Sequence, residues 1–432
     1  MLETLKNAWK MADLKKKLIY TFFMLLLFRI GSAIPVPFLE TGVLKNFIEQ
    51  SSNNWLGYID LLSGGSFSQS TLFALGISPY ITASIVIQLL AVAIPALENL
   101  AKEGEEGRKL LNKYTRYTTV ALAALNATAY YFMMRNMDAL SYTEGWQAIF
   151  AAVVIIVSFM AGAMLVMWMG EQIDNKGIGN GISMILFAGI VSRAGSVIVK
   201  FYTYLQLAIG GLYRYYFFLA ITIVLFLAAV VFIIVMTNAE RRIPVQYAQR
   251  VVGRKMYGGQ SSHIPIKVNM SGVLPVIFAS SILGIPGMIA GFMTIDPDGI
   301  AGKILGQLNY NSWIYAILYF FLIMAFNYFY IAIQYNPMEI ANNLRKNNGT
   351  IPGIRPGKPT ADFISRVVSK VTVVGGIFLA IIAIGPILLS RLLQMDISLG
   401  GTSIIIVVGV ALDTVRQLES QMMMRHYKGF LE

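Results

Sequence analysis

Two histidines, His263 and His426, and no cysteine stand in a chain of 432 residues. These are the side chains that most often supply nucleophiles, proton relays and metal ligands near neutral pH. Thiol catalysis, disulfides and cysteine-held metals are therefore excluded. No HExxH, GxSxG or Walker A stretch occurs either. GIGNG, Gly177 to Gly181, superficially resembles a phosphate loop. It lacks the lysine and follows an apolar helical pattern rather than a strand, so it reads as a tight turn. An intramembrane serine protease would need a Ser–His pair inside an apolar segment. Both histidines lie outside such segments. Ion-coupled transport usually places charges near mid-membrane. Here Arg29 and Asp413 sit only towards the ends of apolar runs, and the polar residues left inside are neutral: Gln88, Asn126, Ser280 and Ser281. Hydrogen bonds between helices are their simplest use.

The elements that would carry such residues are apolar helices. The chain is 56% hydrophobic and 13% charged, against about 25% charged in soluble domains. Its mean hydropathy is +0.64. A span needs about 20 mostly apolar residues. Ten stretches qualify, near 18–36, 72–95, 117–134, 147–170, 179–199, 215–237, 269–292, 312–334, 371–390 and 401–418. The N-terminal run reads as a retained first span, not a cleaved signal peptide. Gly, Pro and Ser interrupt several spans. Such breaks are tolerated where neighbouring helices or a wet cavity satisfy the freed backbone.

The net charge of +12 would suit nucleic acid, anionic lipid or the positive-inside rule, and placement decides. With the N-terminus inside, 26 of the 34 Lys and Arg fall in inside segments, seven fall outside, and Arg29 lies within the first span. That asymmetry supports ten spans with both termini in the cytosol. The turn near Tyr202 to Tyr213 divides them five and five, into halves 1–205 and 206–432. An odd number forces the second half to enter the membrane in the opposite sense, so related halves would be inverted repeats.

Two inside loops, 240–268 and 336–364, exceed what a connection requires. Six basic residues mark the first, including Arg241, Arg242, Arg254 and Lys255. In the second, Pro352 and Pro356 bracket Arg355, and proline's fixed φ would stiffen that tip. Either the loops only obey the charge rule, or they dock a large, partly anionic partner such as ribosomal RNA or an acidic protein surface. Irregular spans, docking loops and no catalytic charges describe a passive conduit driven from outside. The alternative is a secondary transporter of a small solute, which would need a mid-membrane charge or ion site.

Six stretches are similar to the SecY family of protein-translocation channels, with the likeness closest to bacilli. They are GISPYITASIVIQLL, GEQIDNKGIGNGIS, RRIPVQYAQRVVGRK, IPIKVNMSGVLPVIFASSI, NNLRKNNGTIPGIRPG and GGTSIIIVVGVALD. The resemblance implies an all-α polytopic membrane protein, with ten transmembrane helices in two inverted five-helix halves around an hourglass pore. It implies no enzyme activity and no cofactor. The pore's waist would be ringed by Ile77, Ile81, Ile182, Leu186, Ile277 and Ile406. An apolar constriction dewets and so blocks ions while ignoring side-chain identity.

A plug at 58–71, with Asp60, Leu61, Leu62, Ser63, Gly64, Gly65, Ser66 and Phe67, would rest against this ring. A lateral gate would run past Thr82, Gln88, Asn126, Ser280 and Ile285. Arg241, Arg242, Arg254, Lys255 and Arg355 would meet the SecA motor ATPase or the ribosome, with SecE and SecG as companions and anionic lipids around. Signal-sequence-bearing polypeptides would be the substrates, and the plasma membrane the location.

Overall fold

The structure is a computed structural model and describes residues 2–50, 60, 63–247, 250–252, 255–257, 261–292, 299, 302, 307, 312–393 and 401–428. Helices occupy every stretch that the apolar pattern selects. They are α1 (Leu2–Lys10), α2 (Ala12–Gly31), α3 (Val43–Gln50), α4 (Ser78–Ala93), α5 (Pro95–Lys102), α6 (Glu105–Asn136), α7 (Gly145–Lys176), α8 (Gly181–Ser192), α9 (Ala194–Ile209) and α10 (Arg214–Asn238). After strands β1 to β4 come α11 (Leu274–Phe292), α12 (Trp313–Gln334), α13 (Pro337–Lys346), α14 (Lys358–Leu393) and α15 (Gly401–Lys428). Among the described residues, six helical spans are long and apolar enough to cross a bilayer, or seven if the bent pair α4–α5 is one span. α11 is apolar but shorter, α2 begins with three lysines, and Thr, Tyr and Asn126 dilute α6.

Local chemistry sets the ends. Pro79 opens α4, where a missing N–H costs nothing. Pro95 ends it, since the residue before a proline is pushed out of the helical region. Ile94 is accordingly extended, and the chain bends by 106° there. The second span therefore begins at Ser78 rather than at 72, and residues 71–77 form buried turns. The fifth span breaks at Arg193 and continues as α9 through residue 205 to Ile209. The midpoint turn thus falls at Gly210–Gly211, where Gly211 has φ +106°.

The two long basic loops are one body, a feature absent from an all-helix expectation. β1 (Glu240–Tyr247) pairs antiparallel with β4 (Ser261–Lys267), from Glu240 opposite Lys267 to Gln246 opposite Ser261. Its other edge takes β5 (Gly349–Thr350) from the second loop, with Tyr247 opposite Gly349. β2 (Arg250–Val252) and β3 (Lys255–Tyr257) form a separate ribbon. Ile243, Val245, Ile266, Ile331, Leu344, Ile351, Ile364 and Val368 close a small core beneath the sheet.

Because that core draws on both loops, damage to one should loosen the other. Ile266 is 1% exposed. Ile266→Ala should destabilise this body by about 2–5 kcal/mol. Trypsin should then cut faster after Arg345 and Lys346 as well as after Lys267. Unchanged cutting of the second loop would show that the loops are independent.

Candidate functional site

The six residues expected to ring the waist come from four elements, and all belong to or pack against one large apolar core. Ile77, Ile81, Leu186, Ile277 and Ile406 are buried members of a single core, and half-buried Ile182 packs against it. Ile77 is the N-cap of α4, and its carbonyl accepts the Ile81 N–H at 3.1 Å. That one turn puts the two side chains on one face. Ile182 and Leu186 share a face of α8, whose start is capped by Asn180, with its side chain accepting from Ser183 N at 3.1 Å. GIGNG is a turn, as its sequence suggests, and four of its five amides have partners, Gly177 N donating to Ile173 O at 2.8 Å. Ile178 N donates to Thr21 Oγ1 at 3.0 Å, Gly179 N to Gln417 Oε1 at 2.6 Å and Gly181 N to Asp174 Oδ1 at 2.7 Å. The bonds to Thr21 and Gln417 tie the turn before α8 to α2 and α15 and so position Ile182 and Leu186.

In the plug stretch Asp60 is helical, and residues 63–70 form mostly buried turns. Among its expected residues, Leu61 and Leu62 lie outside the described ones. Asp60, Ser63, Gly64, Ser66 and Phe67 are buried, and Gly65 is half-buried. Asp60 organises the turn. Its Oδ1 accepts from Ser68 N at 2.8 Å, and its backbone carbonyl accepts from Gly65 N at 2.9 Å and Ser63 Oγ at 3.1 Å. Its Oδ2 pairs with the Arg193 guanidinium. Arg29 Nη1 donates to Gly64 O at 3.2 Å. Arg193, counted as outside charge, and Arg29, placed within the first span, therefore both bind the 60–64 turn.

Gly64 has φ +69°, and a Cβ there would lie 2.9 Å from Gly189 Cα. Only glycine fits that approach. Tyr130 OH donates to Phe67 O at 2.7 Å and lies 2.9 Å from Ser70 Oγ. Phe67 stands edge-on to the Tyr130 ring at 5.0 Å. Removing one partner of a fully buried ion pair costs about 3–5 kcal/mol. The 30% exposure of Arg193 puts its pair with Asp60 below that range.

At the expected seam, α11 packs on α6 and α4. Thr82 donates to Ser78 O at 3.1 Å and Gln88 Nε2 to Ser84 Oγ at 3.1 Å, both within α4. Ser280 Oγ donates to Ile277 O at 2.8 Å. Asn126 is half-buried, and Ile285 is 43% exposed on the outer surface. These described bonds run along helices. The reason is that Thr and Ser back-bond readily to the preceding turn.

On the loop body, Arg241, Arg242 and Arg355 are exposed, and Arg242 pairs with Glu240 at 2.7 Å. Arg355 sits on a constrained tip. Its carbonyl accepts from Thr360 Oγ1 at 2.8 Å, Ile354 N donates to Ile351 O at 3.0 Å, and Gly353 turns at φ +79°. Lys255 lies in β3, and Arg254 lies outside the described residues.

Together these features define a class: a multi-pass helical membrane protein with aliphatic residues of four elements in one core, a buried turn segment packed against α8 and a basic sheet that joins its two long loops. The family model described as SecY matches residues 71–415. Over 441 aligned residues, the chain is 42% identical to the protein translocase subunit SecY of Streptomyces scabiei, covering 100% of both. It is 39% identical to that of Thermotoga maritima, covering 100% of this chain and 98% of the other. The chain belongs to the SecY family.

These relatives are from Streptomyces and Thermotoga, where the sequence suggested bacilli. A structure described as that of a protein conducting channel matches with TM-score 0.66 and 20% identity, covering 94% of this chain and 92% of the other. One of SecY, whose plug domain is described as stabilising the closed state and maintaining a membrane seal, matches with TM-score 0.65 and 19% identity over 94% and 92%. Sec61 in a canine ribosome–channel complex matches with TM-score 0.63 and 19% identity over 94% and 92%. The fold is therefore that of the SecY and Sec61 channels.

The waist makes a direct prediction. Ile81→Asn and Ile277→Asn should each raise resting ion conductance in planar bilayers, because a polar side chain lets water persist in an apolar constriction. Currents equal to the parent's would remove these residues from the seal.

Proposed function

We propose that this chain is the pore-forming subunit of a Sec protein-conducting channel in the plasma membrane. Unfolded secretory polypeptides would pass through its waist, and apolar segments would leave sideways into lipid. One observation supports the reading: six aliphatic side chains from α4 and its N-cap, α8, α11 and α15 share one core, with a polar, mostly buried segment paired to Arg193 at the end of α8. Aliphatic groups offer no hydrogen bonds, so such a waist accepts any sequence. Its branched side chains can close around an extended chain and limit leakage. Membership of the SecY family over the full length supports this and leaves no ground for a small-solute transporter.

The halves 1–205 and 206–432 would clasp the pore and flex at the Gly210–Gly211 turn. Thr82, Gln88, Asn126, Ser280 and Ile285 would lie along the exit. Interhelical hydrogen bonds in membranes average about 0.6 kcal/mol. A seam whose Thr82 and Gln88 hydroxyl and amide are already satisfied within α4 would be weaker still, so an apolar signal sequence could part it by entering lipid. Both termini would be cytosolic. The basic sheet would then face the SecA motor or the ribosome, with Arg355 foremost and Arg241, Arg242, Arg254 and Lys255 beside it. SecE, SecG and anionic lipid would complete the assembly.

The experiment that tests the reading is site-specific crosslinking from Ile81 or Ile277 to a stalled secretory chain in membranes. A crosslink that needs the signal sequence is expected; none at either position would refute the conduit. Arg355→Glu should abolish motor-driven transport in reconstituted vesicles while the protein stays folded, and normal transport would sink that role. Gln88→Leu with Asn126→Leu should shift how hydrophobic a signal sequence must be. A threshold equal to the parent's would separate these residues from the exit.

A further inference from the structure

The described polar contacts of the plug all reach residues of the first half: Arg29 on α2, Tyr130 on α6, and Ser192 and Arg193 at the end of α8. Its aromatic anchor Phe67 belongs to a core built from residues between Val36 and Ala163. The waist differs, because Ile277 and Ile406 bring the second half into it. α8 joins the two places. Ile182 and Leu186 belong to the waist core, Gly189 meets Gly64, and Arg193 meets Asp60. Positions 182, 186, 189 and 193 follow the four- and three-residue steps of one helix face.

We propose that the Asp60–Arg193 pair latches the plug to the first half, so that parting of the halves leaves the plug seated. Plug release is then a second step, triggered when a chain entering the waist displaces α8. The proposal rests on the channel reading above.

The asymmetry of the pair gives this its direction. The Asp60 side chain is 2% exposed and that of Arg193 30%. When the pair breaks, Arg193 regains water at once. Asp60 regains it only if the plug moves, because a buried unpaired carboxylate is strongly penalised. Ser66 Oγ adds to this, since it is buried with no partner in the seated plug. Such a hydroxyl gains by reaching water. The seated plug is thus held by the latch against an internal tendency to leave.

The chain has no native cysteine, so introduced ones are unique. Asp60→Cys with Arg193→Cys would be joined by a reductant-cleavable bis-methanethiosulfonate of about the length of the arginine side chain it replaces. The linked protein, reconstituted with its motor and companions, should still crosslink a signal sequence from position 88 but should not translocate. Reductant should restore translocation. Separately, Arg193→Gln should raise resting conductance by about tenfold, the scale expected for loss of a partly buried pair. Asp60→Asn combined with it should add little more, and Arg193→Lys should restore most of the seal.

Translocation by the linked protein, loss of signal engagement along with translocation, or parental conductance in Arg193→Gln would each overturn the latch. Failure of the parent protein to translocate would instead defeat the channel reading.

Discussion

Backbone amides and carbonyls at membrane depth must find partners within the protein, since unsatisfied ones cost several kcal/mol each. Helices meet that condition by themselves. The turns from 63 to 77 cannot, and much of the molecule is arranged around them. Leu72 N donates to Ile34 O at 2.9 Å and Val36 N to Ser70 O at 3.0 Å, a short antiparallel bridge to the end of α2. Thr71 N returns to Ser66 O at 3.1 Å, and Asp60, Tyr130 and Arg29 take most of what remains. Much of the irregular segment's backbone is therefore bonded within the protein. Its bonds are to side chains and loops that can be exchanged for water, which a helix's own ladder does not allow.

The same economy runs through the seam and the loop body in opposite senses. Along the seam, Thr82 and Gln88 are satisfied inside α4. Helices can therefore part there without leaving those groups orphaned. In the loop body, the bonds and the apolar core span both loops. The sheet holds Arg355 on a tip braced by Thr360 while leaving its charge in water. Polar groups are thus satisfied within one helix at the first surface and between distant segments at the second.

Much of this was legible in the sequence. Apolar runs of membrane length place the helices, because hydropathy alone decides which segments can shed water. Pro95 marks the end of the second span, whereas its start at Ser78 came from the structure. The lysine and arginine imbalance gives an orientation. The residues that merge the two loops were not legible: Tyr247 and Gly349 stand opposite each other in a sheet although about a hundred positions separate them. β-pairing of that kind leaves no local pattern. Nor could the break at Arg193 be read, since Ser192, Arg193 and Ala194 carry no helix-stopping chemistry.

The ring shows the limit most clearly. Isoleucine is common throughout this chain, so no spacing distinguishes Ile277 or Ile406 from its neighbours, and only the packing of four helices gathers them into one core. Arg29 and Arg193 make the same point for charge. The sequence by itself determined that both lie near the outer ends of apolar helices, because a charged side chain there must reach water or a partner. Only the tertiary structure decided that the partner is the plug, because the contact depends on where an irregular segment is folded back between the helices.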